Sequence, residues 1–464
     1  MEAGLFRFLR FSLGLEGEAK GLLDGRKGSF DWDACYQFAK RQTLVGVLFD
    51  GIQRLPKELA PARPLLLRWL SDSESIRRRN MRIDRASAYI YNKVCAAGFR
   101  CCILKGQGNA LLYPHPSSRT PGDVDVWVMA NREELRHIAL SLTEGDGSSL
   151  QESLNHIGLT VHGVSVELHS TPALLNSPLH NSRLQKWLKR NADLQCSNRI
   201  ALPNNAGEVA VPTLSFNIIY QLCHLFHHCF YEGVGLRQIV DYYFVLMNTD
   251  FSGNTDEASG NTDGVSGNTD EGCLFLNTDF TDFTDKVSGN TDEGCFLLNT
   301  DYTDSTDSSS GDFEGDGCLL NTDCTDFLDS SSGGLGEVDS GGALVALQEE
   351  LKWLGLWEFA GAVMYVLREV MGLDEKRMIC APDERRGRLL LEEIMAGGNF
   401  GHYDTRNHFG QGALWHNIQR FRRDWRMLRF YPSEALSEPL FRAWHFLWRW
   451  KQKHIGMPKE RNLN

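Results

Sequence analysis

Asp123 and Asp125 stand two residues apart among apolar neighbours in Gly122–Val128 (GDVDVWV). An extended chain alternates its side chains, so both carboxylates face one side of a strand while Val124 and Val126 enter a core. Two carboxylates that close repel unless a cation neutralises them. Hard oxygen ligands of this kind suit Mg²⁺, or Mn²⁺ in its place, held by one or two carboxylates plus substrate phosphates. The later run Val164–His169 (VSVELH) puts Ser165, Glu167 and His169 on one polar face. Laid beside the first strand, Glu167 completes a three-carboxylate set able to hold two metal ions around an in-line phosphoryl displacement. Upstream, Lys105-Gly106-Gln107-Gly108 ends an apolar strand and leads into the helical pattern Asn109–Tyr113. Backbone N–H groups at such a turn form an anion site.

The elements that must position these residues follow from periodicity. Residues 1–98 read as an N-terminal helical domain, with apolar positions at helical spacing over Asp31–Phe49 and a long Arg-rich amphipathic stretch over Ser73–Ala97. The period changes over 99–211. Phe99–Leu104, Val124–Met129, Ile157–Val161 and Val164–His169 read as strands, with His162-Gly163 as a tight turn. From Thr213 the chain is helical again, so 212–247 and 343–464 form a C-terminal helical domain around an insertion. The predicted architecture is an α/β core, of α+β type, between helical segments.

These residues resemble the nucleotidyltransferase superfamily with the DNA polymerase β-like fold, whose pattern is a glycine turn, then Asp-x-Asp between apolar residues, then a carboxylate on a later strand. More closely, the chain is similar to an uncharacterised bacterial nucleotidyltransferase group, through Leu104-Lys105-Gly106, Tyr113-Pro114, Arg119, Asp123-Val124-Asp125 and Glu167-Leu168-His169. The similarity continues through His224–Asp241 and Gly398-Asn399-Phe400-Gly401. Gln107 departs from the superfamily, which usually has Gly or Ser there. The resemblance implies transfer of a nucleoside monophosphate from an NTP to an acceptor hydroxyl with release of pyrophosphate. In it, Asp123, Asp125 and Glu167 would be catalytic metal ligands. Gly106 and Gly108 would offer backbone N–H groups to phosphates, and Lys105 or Arg119 would offset charge on the transferred group. His224, His228 and Arg237 fall on the helix that, by resemblance, packs over the nucleotide. The acceptor is left open: a sugar, another small molecule, a protein or an RNA. Inactive members also occur, so the alternative is a catalytically silent protein that holds a nucleotide or partner in the same cleft.

Charge divides the chain unevenly. The 464 residues carry 48 basic and 60 acidic side chains, a net of −12. Residues 248–342 hold 17 Asp, 5 Glu and one Lys, a local net of −21, which leaves +9 elsewhere. Asn-Thr-Asp recurs eight times there, and Val265–Cys273 (VSGNTDEGC) is repeated at Val287–Cys295. Such composition cannot bury enough apolar surface to offset its ordering entropy, and the sequence predicts a disordered acidic, low-complexity insertion. Its carboxylates, spaced by three, do not fit an EF-hand. The dilute basic body suits a phosphate-bearing ligand; nucleic acid is compatible with it but not implied.

His224 and His228 lie one helical turn apart beside Cys223, His227 and Cys229, a spacing open to zinc or to an ordinary amphipathic helix. Arg237 and Asp241 are spaced for an i,i+4 pair. Ile418–Arg429 and Leu440–Lys453 interleave Arg and Lys with Trp and Phe. That pattern reads first as a helical face with aromatics in the core; it also fits nucleic acid, a partner or a membrane surface. The charged residues within Met1–Leu15 argue against a signal peptide, and no charge-free run approaches the length of a transmembrane span. Twelve cysteines without a Cys-x-x-Cys pair predict reduced thiols in a cytoplasmic protein.

Overall fold

Asp31 accepts a hydrogen bond from the Ala34 N–H at 2.9 Å and so starts the helix that follows it. The computed structural model describes residues 2–17, 30–143, 150–251, 341–404, 406 and 413–455. Most of the acidic repeat, and with it the expectation of disorder, lies outside them. The described residues all belong to one unit, built from Met1–Asn254 and Val338–Asn464.

The N-terminal pattern folds as α1 (Glu2–Ser12), α2 (Trp32–Arg41), α3 (Val45–Gln53) and α4 (Arg63–Ala96). The periodic stretch Asp31–Phe49 is two helices, because Thr43 takes a φ of 55° between them. Pro64 lies in the first turn of α4, where its missing N–H has no intrahelical partner to lose. That start makes α4 a turn or more longer than its amphipathic stretch alone predicts. Its buried face packs on α3 at the Trp69 end, where the indole Nε1 donates to the Val45 carbonyl, and on the sheet farther along.

The sheet has five strands in the order β1 (Cys101–Leu104), β2 (Val124–Val128), β5 (Val164–His169), β4 (His156–Val161) and β3 (Gln151–Glu152). β1 and β2 are antiparallel, β2 and β5 parallel, and β5 and β4 antiparallel. His162 (φ 50°) and Gly163 (φ 73°) make the β4–β5 turn, the two positive φ values that a tight hairpin of this twist needs. Ile103, Val126, Val166 and Leu168 are fully buried on the core side. Between β1 and β2 lies the short α5 (Gly106–Ala110), and α6 (Arg132–Leu142) follows β2 behind an Asn131–Glu134 capping box. α7 (Pro178–Ser197) and a small hairpin of β6 (Arg199–Leu202) and β7 (Gly207–Ala210) close the core.

The remaining helices are α8 (Leu214–Tyr231), α9 (Leu236–Asn248), α10 (Gly341–Trp353), α11 (Trp357–Met371), α12 (Glu384–Gly397), α13 (Ala413–Leu428) and α14 (Pro432–Ile455). α9 is buried from Leu236 to Leu246, and α11 is buried on nearly every face. A helix buried all round is a core helix, and here the two pack on each other and on α8. None of the described helices is long and apolar enough to cross a membrane. Every cysteine among the described residues is free.

Candidate active site at the carboxylate cluster

Parallel pairing of β2 with β5 sets Asp125 directly opposite Glu167. Asp123 lies two residues earlier on the same face, and one oxygen from each of the three carboxylates falls within 4.8 Å of the others. Asp123 is exposed at the mouth of the cleft, whereas Asp125 is buried. Asp125 is held by Lys105 Nζ at 3.0 Å and by His169 Nε2, which donates to it at 2.9 Å. His169 Nε2 is also 3.3 Å from Glu167, and His156 Nε2 is 3.7 Å from the same carboxylate.

These contacts split the two aspartates electrostatically. The neighbouring Asp125 charge, then burial, raises the Asp123 pKa. Burial opposes the charge of Asp125, but Lys105 and His169 outweigh it and hold its carboxyl well below the usual range. Burial likewise opposes ionisation of Glu167, and the His169 hydrogen bond overcomes it, so its pKa is lowered. Burial would lower the pKa of His169, yet its bonds to both carboxylates raise it. A carboxylate under repulsion beside two ionised ones is a donor set that suits a hard divalent cation.

The glycine turn places Lys105 at φ 49°, ψ −124°, a conformation that costs a non-glycine residue roughly 1–3 kcal/mol. Lys105 Nζ is fixed at both ends of its reach, by Asp125 and by His224 Nε2 at 3.2 Å. Gly106 lies in the cleft wall, 3.9 Å from the Asp123 carbonyl oxygen by its missing Cβ. Gly108 faces away, and a Cβ there would press on Val211 at 3.2 Å. Gln107 turns from the cluster as well and donates to Asp84 on α4. The departure from Gly or Ser at that position therefore leaves the cleft side of the turn unobstructed.

Arg119 and Arg237 reach the same cleft by another route. Arg119 is 4% exposed and grips Asp241 through Nε and Nη2, both at 2.7 Å, while Tyr113 Oη donates to Asp241 at 2.7 Å. The expected Arg237–Asp241 helix pair is replaced: Asp241 bonds Arg119, and Arg237 Nη1 donates to the Thr120 carbonyl at 2.9 Å. Burial, then the charge of Arg119, lowers the Arg237 pKa. Arg119 Nη1, Arg237 Nε and Gln238 Nε2 are buried without a hydrogen-bond partner. Of the two guanidinium groups only that of Arg119 bonds the carboxylate, and the wall has three unused donors.

His224 and His228 stand on α8 with their Nε2 atoms 2.9 Å apart, and His228 Nδ1 is 3.2 Å from Glu232. Burial, then Lys105, drives the His224 pKa well below its usual value, so it accepts from Lys105 as a neutral ring. Phe400 lies 5.1 Å from the His228 ring and has a φ of 51°. Its segment fits against the α8–α9 turn, where a Cβ on Gly401 would come within 2.1 Å of the Glu232 carbonyl oxygen. The acid cluster thus lies between two lobes of one cleft. One is lined by Arg119, Arg237 and Gln238, the other by His156, Ala173, His227 and Tyr231.

Sequence reasoning set His169 on the alternating face of Glu167 but gave it no role, paired Asp241 with Arg237, and missed His156. Spacing could not find the true partner of Asp241, because Arg119 is 122 residues upstream.

Residues 28–258 match the family model described as "Uncharacterised nucleotidyltransferase". No curated protein matches the sequence. Among solved structures, an antigenic nucleotidyltransferase-like protein from Paracoccidioides brasiliensis is similar at 16% identity and a TM-score of 0.24, over 36% of this chain and 75% of that one. With the mixed sheet and its flanking helices in place, the chain belongs, through residues 28–258, to the family of uncharacterised nucleotidyltransferases.

Proposed function

We propose that the protein transfers a nucleoside monophosphate from an NTP to an acceptor hydroxyl, with Mg²⁺ held by Asp123, Asp125 and Glu167 and pyrophosphate as the second product. The convergence of these three carboxylates across the β2–β5 pair carries the reading. When bound, the metal would neutralise phosphate charge and lower the pKa of the acceptor hydroxyl. Lys105 and His169 keep Asp125 ionised and fixed in direction before any ligand arrives. The unused donors of Arg119, Arg237 and Gln238 support a phosphate position in their lobe, together with the backbone N–H groups at Gly106. The acceptor then enters from the lobe of His156 and Tyr231, and Glu167, the carboxylate nearest that side, assists loss of its proton.

Calorimetric titration of NTP and Mg²⁺, beside a transfer assay with labelled NTPs and a cell extract, tests this. Asp123→Asn with Asp125→Asn should abolish metal-dependent binding and transfer. Glu167→Gln should bind NTP nearly as well and transfer slowly. A double variant that binds and transfers like the parent sinks the reading. A parent that binds NTP but labels nothing in the extract supports the silent-binder alternative, which the prior pairing of Asp125 with Lys105 and His169 also favours.

A further inference from the structure

Two helices at the C-terminal end present a surface that the cleft does not use. Leu436, Leu440, Trp444 and Leu447 follow helical spacing along one side of α14, flanked by Phe446 and Trp450, and all six are between 50% and 70% exposed. Phe421 and Trp425 on α13 are exposed to the same degree. Phe421, Trp425, Trp444, Phe446 and Trp450, expected in a core, are therefore at the surface, while α14 is anchored from its other side. Glu434 there accepts hydrogen bonds from the Asn176 and Ser177 N–H groups at 2.7 and 3.2 Å.

The sequence of these two helices is net positive. Residues 413–455 contain nine Arg and Lys and three acidic residues. The three acids, Asp424, Glu434 and Glu438, are all buried, and Arg442 reaches both Asp424 and Glu438. Arg422 and Arg429 are exposed. A contiguous apolar strip with Trp, on helices of net positive charge that expose Arg422 and Arg429, has the composition of a helix that lies in the plane of an anionic bilayer. A second copy of the same surface would bring like charges together. A nucleic acid would leave Leu436, Leu440 and Leu447 without a stacking partner. We propose that the exposed face of α13 and α14 docks the protein on the surface of anionic lipid membranes, with α14 parallel to the bilayer and its leucines and tryptophans at the acyl boundary.

Co-sedimentation of the full chain with vesicles tests the proposal, using phosphatidylcholine alone and phosphatidylcholine mixed with phosphatidylglycerol. Binding to the mixed vesicles, weak binding to phosphatidylcholine, and loss of binding in high salt are expected. Leu440→Ser with Leu447→Ser should weaken binding at least about tenfold without lowering Tm, since both side chains are exposed. No binding to the anionic vesicles overturns the proposal, as does binding undiminished in the double variant. Self-association or RNA retention that the double variant abolishes, with no vesicle binding, gives the surface to another occupant and overturns it too.

Discussion

Asp123 and Asp125 carry the same group in opposite circumstances, and single substitutions should separate them. Asp125→Asn leaves Lys105 and His169 without their shared counter-charge. In the metal-free protein it should cost roughly 3 kcal/mol, the scale for breaking a buried pair from one side. Asp123→Asn removes only a repulsion, so Tm should stay level or rise. Thermal unfolding of the two variants decides this, and an Asp125→Asn protein as stable as the parent would show that the three-way contact is not holding. His169→Asn tests the same contact by rate. On the proposed function it should lower kcat more than it raises KM for NTP, because His169 bonds Asp125 and Glu167 and does not line the lobe of Arg119 and Arg237. Period-two alternation made Asp123, Asp125 and Glu167 legible in the sequence, since strand geometry alone fixes which residues share a face. The Arg119–Asp241 grip was illegible because it depends on where α9 crosses the loop before β2.

At the scale of elements, the site rests on close approaches that only small residues allow. Gly46 on α3 lies against the backbone that carries Arg119: a Cβ there would fall 2.3 Å from the Ser118 carbonyl oxygen. Gly46→Ala must displace a backbone and not a side-chain tip, so it should destabilise by about 1–3 kcal/mol. Denaturant unfolding reads the loss, and an unchanged midpoint would show that the loop yields freely. The α13–α14 contact has its own signature in pH. Burial, then the adjacent Glu438 carboxylate, pushes the Asp424 pKa up to about 7. The folded protein thus keeps a proton that the unfolded chain releases near pH ~4. Stability should therefore fall as pH rises from about 4 to about 7 and level off above that, by roughly 2–4 kcal/mol in all. Asp424→Asn should flatten that limb in denaturation curves taken across the range; a parent with no such slope would show the two acids to be apart. β1, β2, β4, β5 and the long α4 were readable from periodicity, whereas α6, α7 and the short β3, β6 and β7 were not. The split at Thr43 was not, because a threonine at positive φ gives no compositional sign. Nor was the outward turn of Trp425 and Trp444, since helical spacing shows that residues share a face but not what covers it.

For the whole molecule, the insertion separates segments that fold into one unit. α9 ends at Asn248 and α10 begins at Gly341, and α11 packs back onto α8 and α9. Arg377 also donates to the Thr249 carbonyl, tying the start of the insertion to the body. Removing residues 252–340 and rejoining the ends with a short Gly/Ser loop should keep the protein soluble. It should raise stability by up to roughly 2 kcal/mol, since several doublings of loop length are undone. A fall in Tm of more than a few degrees would show that the repeat contributes contacts of its own. The same arrangement has a consequence during synthesis. α8 and α9 are largely buried and both pack against α11, yet α11 leaves the ribosome only after the whole acidic repeat. At ~5–20 residues per second the wait is on the order of 10 s. For that interval the faces of α8 and α9 that α11 covers stay open, beside an emerging segment with a local net charge of −21.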